Sequence, residues 1–350
     1  MTRISFDLVG FTLDEDVFSD FGLLLLSKGT RLTERHIIIL QNHMGSQHVK
    51  VTREINEPFI QENPLHSRIT SIEQAYSESI TKMRDLFNLF NITNQVPSIK
   101  EIETIYTPLL HNILKEDNLF CLLDILEDSQ YFTYTHSINV SIISAIIGKL
   151  LGKTKDELFT IAEMGIFHDL GKLSIPSEII NKPEALNDNE WHMVKNHPLY
   201  GAKLIQQIGE KRLAIMEAAL YHHERLDGTG YPKKLTGGQI PHLVQIISIA
   251  DVFDAIASSR PYKKCHSHVR AVLEIMRDTY DGKFNPAITI PFVRYVMRQY
   301  VRKKVRLSDG RTGEVIFIHD HEPHKPLIKL ESNKYIDLRR ETSIRVIDLV

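Results

Sequence analysis

Seven side chains of the types that bind metal ions are spread along a helical part of this 350-residue chain, and their spacing constrains its fold. Successive positions lie about 25 to 32 residues apart, roughly the length of one helix with its return segment. A bundle of antiparallel helices can therefore bring all of them to one centre. The seven are His136, His168, Asp169, His197, His222, His223 and Asp251.

The residue types in this set restrict the metal. Imidazole and carboxylate groups without thiolates favour iron, manganese or zinc over a structural cysteine site. Two ions that share a bridging carboxylate would use all seven side chains and would suit in-line displacement at phosphorus. Taken alone, His136, His197 and Asp251 each have an ordinary structural interpretation, so it is the ordered combination that predicts a site. We interpret Asp254 as a supporting or structural group rather than a ligand.

The sequence divides into four segments, and the predicted fold is mainly α. Residues 1–58 read as a small α+β regulatory module, in which Thr33 caps a helix. Residues 59–128 read as a linker followed by a helical segment, and residues 129–300 as an all-α block punctuated by Gly and Pro. Residues 301–350 show five short strand-like runs, which predict a small β-barrel-like C-terminal module.

A heptad-like pattern marks the helical segment over residues 67–91. This apolar seam packs either against the chain itself or against a second copy, in which case the helix would mediate a homodimer. One heptad position holds Ile69, Tyr76, Met83 and Phe90, and the other holds Ile72, Ser79 and Leu86.

Composition limits the partners and the compartment. The formal net charge is −2 and the pI is about 6.8, which gives no global attraction to DNA, RNA or an anionic membrane. Two cysteines far apart in sequence argue against a disulfide framework and are typical of a reducing cytoplasm. The sequence shows no apolar run long enough to span a bilayer and no signal-peptide pattern at its start, so we expect a cytoplasmic protein.

Four motifs in the helical block closely resemble the HD-GYP phosphodiesterases, a branch of the HD metal-dependent phosphohydrolase superfamily. They are HDLGK (His168–Lys172), NHP (Asn196–Pro198), HHERLDGTGYP (His222–Pro232) and IADVFDAIASSRPYKK (Ile249–Lys264). The resemblance covers about residues 129–300 and implies an HD-type helical bundle as the catalytic domain. It implies hydrolysis of the bacterial second messenger cyclic di-GMP to pGpG and often to GMP, and some members act on other cyclic dinucleotides.

The resemblance also assigns roles to the matching residues. It implies two divalent ions, Fe or Mn, with Asp169 bridging them. On the chemistry of two-metal sites, our hypothesis for the nucleophile is a hydroxide that bridges the two ions. It places Lys172, Arg260 and Lys263 against the substrate phosphates, with Asp169 and Lys172 as the catalytic pair. The first ion would be held by His136, His168, Asp169 and Asp251, and the second by His197, His222 and His223 together with Asp169.

One departure from the family pattern affects the predicted products. Some members carry a glutamate four residues before the first ligand histidine and bind a third metal, whereas this chain has Phe132 there. We therefore expect two metals, and this departure bears on the second cleavage, from pGpG to GMP. Two alternatives stay open: hydrolysis of another cyclic dinucleotide such as 3′,3′-cyclic GMP-AMP, or a catalytically silent module that binds a nucleotide or a partner.

Three further stretches carry ordinary interpretations. HDHEPH (His319–His324) is read as a hydrated loop, with a metal site as the alternative. Arg294, Arg298 and Arg302 form one basic helix face, read as solvated or as facing another domain. Asn285 in DGKFNP is predicted to cap a helix that begins at Pro286.

Overall fold

In the computed structural model, the chain falls into two compact units, Met1–Ser71 and Ile72–Val350. The predicted segment boundaries at residues 58, 128 and 300 remain predictions. The described residues are 2–4, 8–18, 24–33, 36–37, 40, 48–52, 64–93, 97–115, 132–180, 182, 184–207, 212–258 and 268–350.

The N-terminal unit is built from very short antiparallel strand pairs around a small apolar core. Leu13, Ile37 and Leu40 are among its fully buried side chains. The hydroxyl of Thr33 accepts the backbone N–H of His36 at 3.3 Å, so the predicted cap is confirmed. The pairs are β1 (Thr2–Arg3) with β5 (His48–Val49), β2 (Thr12–Leu13) with β6 (Val51–Thr52), and β3 (Val17–Phe18) with β4 (Leu24–Leu26).

The rest of the described chain is mainly helical until residue 298, as predicted. Two single 3₁₀ turns, Leu170–Ser174 and Gly237–Gln239, interrupt the helices. The helices are α1 (Pro64–Thr93), α2 (Ile99–Lys115), α3 (Phe132–Leu150), α4 (Lys155–Phe167), α5 (Ser177–Ile180), α6 (Asp188–Lys195), α7 (His197–Gln207), α8 (Leu213–Tyr221), α9 (His242–Ala257), α10 (His268–Tyr280) and α11 (Pro286–Arg298).

Helix α3 lies at the centre of the bundle. It packs against α4 and α9, and its apolar residues from Ile138 to Ile147 are buried on all sides. A helix that is apolar all round has no solvent face, so this one must be enclosed by its neighbours. Its partner α4 starts at a reciprocal capping box between Thr154 and Glu157, which fixes where α4 begins. Each of these three central helices carries, or ends at, a predicted ligand.

The heptad seam of α1 packs within the chain itself. Ile72, Tyr76, Ser79 and Met83 are all buried in a single copy. The Ser79 hydroxyl, which interrupts the apolar pattern, donates a hydrogen bond to the carbonyl oxygen of Ile105 on α2 at 3.1 Å. The first of the two alternatives therefore describes this face, and the homodimer stays a prediction that these buried residues do not support.

The C-terminal module is an open antiparallel sheet. All five predicted strands form, but the barrel-like prediction was wrong, because β10 and β11 are the two edges and do not pair. The edge β10 has only three residues, and the ladder of β11 shifts register between Val346 and Asp348, so neither edge offers a long row of backbone groups for closure. The sheet order is β10 (Tyr335–Asp337), β9 (Leu327–Leu330), β8 (Thr312–Phe317), β7 (Lys304–Leu307) and β11 (Val346–Leu349).

Two smaller predictions about helices can be checked directly. The Asn285 side chain accepts the N–H of Ala287 at 3.0 Å with Pro286 in the first helical position, which confirms the predicted cap of α11. Among the described helices, none combines the length and the apolar character needed to cross a membrane.

Candidate metal centre

The seven predicted ligand positions converge in the interior of the bundle, and most of them come from helix ends. His136 lies in the first turns of α3, and Asp251 lies inside α9. His168 caps the C-terminal end of α4, and Asp169 follows it at the start of the 3₁₀ turn. The other three share this placement: His197 opens α7, and His222 and His223 directly follow α8.

A close backbone approach brings two of these segments together. A Cβ atom on Gly171 would lie 1.9 Å from the carbonyl oxygen of His197 and 2.4 Å from the backbone nitrogen of Gly201. Only glycine leaves room for the 3₁₀ turn to rest directly on α7. As a result, Asp169 Oδ1 lies 3.2 Å from His197 Nε2.

The ligand atoms form two groups with Asp169 between them. One group is His136, His168 and Asp251, and the other is His197, His222 and His223; within each group the candidate ligand atoms lie within 4.8 Å of one another. Asp169 Oδ2 lies 3.5 Å from His136 Nε2 and 3.3 Å from His168 Nε2. Its other oxygen, Oδ1, lies 3.7 Å from His222 Nε2 and faces His197 as well. This is the arrangement expected of a carboxylate that bridges two ions.

Backbone carbonyls orient three of the histidines. The Nδ1 atoms of His168, His197 and His222 lie 2.7, 2.7 and 2.9 Å from the carbonyl oxygens of Gly165, Val194 and Ala218. A ring nitrogen beside a carbonyl must be the N–H donor, so each Nε2 directs a lone pair into the centre. Histidine ligands of metals are oriented in this way.

Several buried polar atoms of the centre lack a hydrogen-bond partner. His168 Nε2 and Asp169 Oδ1 are buried without one. His197 Nε2 lies 3.1 Å from His222 Nε2, and two lone pairs that face each other require a cation between or beside them. The residues therefore fit metal ions, because bound cations would satisfy these atoms together.

Burial and neighbouring charges set the protonation of the group. Burial would raise the pKa of Asp169, but Lys172 and His168 outweigh it and lower that pKa well below its usual value. Burial, reinforced by His168 and His197, lowers the pKa of His222 to about 3. The carboxylate is thus ionised and His222 neutral at pH 7, which are the states that bind metals.

His136 differs from the other histidines. Burial would lower its pKa, but the hydrogen bonds that it donates to Asp251 and Asp254 raise that pKa to about 9. Asp254 Oδ2 accepts His136 Nδ1–H at 2.7 Å, while His136 Nε2 faces Asp251 Oδ1 at 3.1 Å. Asp254 therefore supports the ring from behind, as the sequence predicted for it.

The predicted phosphate-binding residues are only partly described. The ammonium group of Lys172 pairs with Asp169 Oδ2 at the rim of the centre. Arg260 and Lys263 lie outside the described residues, as does the side chain of Phe132. The roles of these residues remain predictions.

Two charged residues inside HHERLDGTGYP were not singled out by sequence reasoning. The buried carboxylate of Glu224 accepts the backbone N–H groups of Lys233 at 2.6 Å and Leu235 at 2.9 Å. Arg225 donates to the carbonyl oxygen of His222 at 3.1 Å, and its guanidinium lies over the ring of Phe284. The only sequence signal for these two residues was their position beside the paired histidines. That signal was not enough, because a charged residue in a loop usually lies on the surface.

The remainder of this stretch packs tightly on the ligands. Asp227 Oδ1 accepts the N–H of Thr229 at 3.0 Å and so closes a tight turn within the loop. The ring of Tyr231 lies 4.7 Å from that of His223, and the ammonium group of Lys195 lies 5.6 Å from the Tyr231 ring. Tyr231 thus lies directly beside a predicted ligand.

The other stretches follow their ordinary interpretations only in part, since His324 of the predicted hydrated loop is buried and Arg302 lies outside α11. Every group of metal-ligand side chains in the described part of the chain lies in the centre above, so HDHEPH does not form one there. His319 instead pairs with Asp337 at 3.3 Å. Arg294 pairs with Asp320 at 3.1 Å, which joins α11 to this loop. The predicted single helix face was wrong at Arg302, because α11 ends at Arg298 and Arg302 has a φ of 68°.

Part of the chain is similar to known proteins. Residues 121–288 match the family model described as HD domain. The chain is 34% identical over 220 residues to a cyclic di-GMP phosphodiesterase of Pseudomonas aeruginosa, covering 63% of this chain and 52% of that protein. It is 35% identical over 180 residues to a 3′3′-cGAMP-specific phosphodiesterase of Vibrio cholerae, covering 51% of this chain and 41% of that protein.

A solved structure shows the same fold. An HDG"Y"P protein from Bdellovibrio bacteriovorus superposes with a TM-score of 0.50 at 17% identity, covering 81% of this chain and 93% of that one. The chain spans about half the length of the curated relatives it matches.

Proposed function

We propose that this chain is a metal-dependent phosphodiesterase of cyclic dinucleotides in the HD-GYP branch of the HD-domain family, whose model matches residues 121–288. Cyclic di-GMP is the proposed substrate and pGpG the proposed first product. Hydrolysis on to GMP is not part of the proposal, because Phe132 stands at the position where some relatives carry a third-metal ligand.

The position of Asp169 carries the proposal. Its two oxygens face different groups of histidines, Oδ2 toward His136 and His168 and Oδ1 toward His197 and His222. A solitary structural ion would not require a carboxylate divided in this way. Two ions bridged by a carboxylate are suited to displacement at phosphorus.

The division of the ligands follows from the same geometry. Bound there, divalent ions would lower the pKa of a water molecule and neutralise charge on the phosphoryl oxygens. One ion would be held by His136, His168, Asp169 and Asp251, and the other by His197, His222, His223 and Asp169.

The chain's own residues hold this centre ready. The backbone carbonyls behind His168, His197 and His222 keep their Nε2 atoms directed inward, so no ring has to reorient on binding. We propose that Lys172, already at the rim beside Asp169, contacts the substrate phosphate, together with Arg260 and Lys263. Fixed cations there would stabilise charge that grows on the phosphodiester oxygens.

The choice between cyclic di-GMP and 3′,3′-cyclic GMP-AMP rests on the relatives alone. The relatives include phosphodiesterases named for each of the two nucleotides. Cyclic di-GMP is preferred because the more extensive match, over 220 residues, is to a protein named for it. The second nucleotide is therefore tested in parallel rather than excluded.

The test combines metal content with product identification on one preparation. Anaerobically purified protein should contain about two ions per chain and should convert cyclic di-GMP to pGpG faster than it converts 3′,3′-cyclic GMP-AMP. Asp169→Asn should reduce turnover by at least about 100-fold and lower the metal content. Asp156→Asn, an exposed carboxylate in the first turn of α4, is the matched control and should behave as wild type.

Three results separate the alternatives. Faster hydrolysis of 3′,3′-cyclic GMP-AMP would reassign the substrate and leave the phosphodiesterase chemistry in place. Binding of metal and cyclic di-GMP without release of pGpG would favour the catalytically silent module. Full turnover by Asp169→Asn would contradict the bridging role on which the proposal stands.

A further inference from the structure

A row of buried hydrogen bonds connects helix α1 to the metal centre. The Tyr76 hydroxyl on α1 donates to Asn139 Oδ1 on α3 at 2.6 Å. Asn139 Nδ2 donates to Asp254 Oδ1 on α9 at 2.8 Å, and Asp254 Oδ2 accepts His136 Nδ1–H at 2.7 Å. All four side chains are buried. Three helices therefore meet in one continuous chain of polar contacts that ends on a predicted ligand.

The donor and acceptor capacities of these side chains allow only one arrangement of the hydrogen bonds. The Asp254 carboxylate can only accept hydrogen bonds, so Asn139 must present its NH₂ group to Asp254 and its carbonyl oxygen to α1. That buried oxygen needs a donor, and the Tyr76 hydroxyl supplies it. Ser258 adds a third donor to Asp254 at 2.7 Å. The orientation of the carboxylate that holds the His136 ring thus depends on Asn139 of α3 and on Ser258 just after α9, and Tyr76 of α1 acts on it through Asn139.

We propose that Tyr76 is a positioning residue of the metal centre, acting through Asn139 and Asp254 on the ring of His136. The inference rests on the proposed metal site but not on the identity of the nucleotide. Tyr76 lies outside residues 121–288, the range that matches the HD-domain model, so it adds a component from the preceding helix. The row ends on His136, whereas His197 and His222 of the other group are held by backbone carbonyls. Only the first of the two ion sites therefore depends on the row.

Removing the Tyr76 hydroxyl should lower the affinity for the ion at the His136 group and should leave the affinity for the other ion unchanged. Groups that hydrogen-bond to a ligand and so orient it contribute about 10- to 100-fold to metal affinity. Tyr76 acts on the His136 ring through two intervening side chains, Asn139 and Asp254. In the full-length chain, Tyr76→Phe should bind one of its two ions about tenfold more weakly in competition with a chelator. The other ion should be bound as in wild type. Tyr106→Phe, which removes the hydroxyl of a buried tyrosine on α2 outside the row, is the matched control.

A double-mutant cycle distinguishes positioning from a general loss of packing. If Tyr76 acts through Asp254, then adding Tyr76→Phe to Asp254→Asn should cause little further loss of metal affinity, because the connection is already broken. A purely structural role would give the same additional loss in both backgrounds. Asn139→Leu interrupts the row at its middle with a side chain of similar size and should reproduce the selective loss, which keeps the test available if Tyr76→Phe folds poorly.

The outcomes are distinct from those of the proposed function. If wild type binds two ions and Tyr76→Phe and Asn139→Leu bind both with unchanged affinity, the inference is overturned and the phosphodiesterase proposal stands. Equal weakening of both ions, or additive effects in the cycle, would also overturn it. If wild type itself binds no metal, the proposed metal site fails first and the inference fails with it.

Discussion

Gly230 shows how a single residue without a side chain can hold the predicted ligands in place. A Cβ atom there would lie 2.5 Å from the Arg225 nitrogen, from the Glu224 Cα and from the carbonyl oxygen of His223. The loop therefore rests directly on the backbone that carries His222 and His223. The reason for this glycine is close approach rather than an unusual backbone conformation.

Gly230→Ala should displace this loop from the histidines. Contacts this short with backbone atoms cannot be relieved by a side-chain rotation, so we expect a loss of about 1–3 kcal/mol in the free energy of unfolding. We also expect loss of the ion held by His197, His222 and His223. Metal content and denaturant unfolding of the same sample measure both effects.

The control for this substitution lies eight residues away. A Cβ atom on Gly238 would meet nothing within 4 Å, so Gly238→Ala should change the free energy of unfolding by no more than about 0.5 kcal/mol and retain both ions. Equal behaviour of the two alanine variants would show that the close approach at Gly230 does not matter.

At the scale of an element, the segment from Glu224 to Leu235 is held by one buried carboxylate. Glu224 accepts the N–H groups of Lys233 and Leu235 and so closes the loop on itself immediately behind the paired histidines. The backbone N–H groups of a loop need hydrogen-bond acceptors, which water commonly supplies. Here the Glu224 carboxylate supplies them instead. The rigidity of this loop thus depends on a residue that is not a ligand.

Glu224→Ala should loosen the loop locally. Leaving buried N–H groups without an acceptor costs about 1–3 kcal/mol each, so hydrogen exchange of the Lys233 and Leu235 amides should become faster. In Asp227→Ala, the affected amide should be Thr229 alone, since that is the N–H which Asp227 accepts. Unchanged exchange at Leu235 in Glu224→Ala would contradict the role of this carboxylate.

Particular residues show which elements could be predicted from the sequence. The caps at Thr33 and Asn285 were predictable because each depends on residues adjacent in sequence. The clustering of the histidines in the candidate metal centre was predictable because their motifs are specific. The contact of Tyr76 with Asn139 spans 63 residues, and the heptad pattern that contained Tyr76 indicated only a buried face. Such polar contacts depend on the packing of whole helices, which no local pattern encodes.

For the whole molecule, the C-terminal sheet shows the limit of the same reasoning. Alternation of apolar residues predicted five strands, and five form. Whether the sheet closes depends on the pairing of β10 with β11, and this is set by strand length and register rather than by alternation. Strand existence is a local property, whereas closure is a property of the complete sheet.

His324 lies where this sheet meets the helical bundle, with its ring 5.7 Å from that of Tyr280 at the end of α10. The imidazole is 8% exposed, and its Nδ1 is buried without a hydrogen-bond partner. Burial, together with the nearby Lys325, lowers the pKa of His324 to about 4. The folded protein therefore holds this histidine neutral at a pH at which the unfolded chain binds a proton.

The consequence is a loss of stability in mild acid. Because the folded pKa lies below the unfolded value of about 6.5, stability is complete above pH 6.5 and falls as the pH is lowered toward 4, by about 1–3 kcal/mol in total. His324→Gln cannot titrate, so its free energy of unfolding should fall less between pH 7 and pH 4.5 than that of wild type. Urea unfolding with chelator present measures this difference, and the other titrating groups cancel between the two proteins. His321→Gln, an exposed histidine in the same loop, should keep the wild-type slope. Identical slopes for wild type and His324→Gln would show that the buried imidazole does not link the stability of the fold to pH.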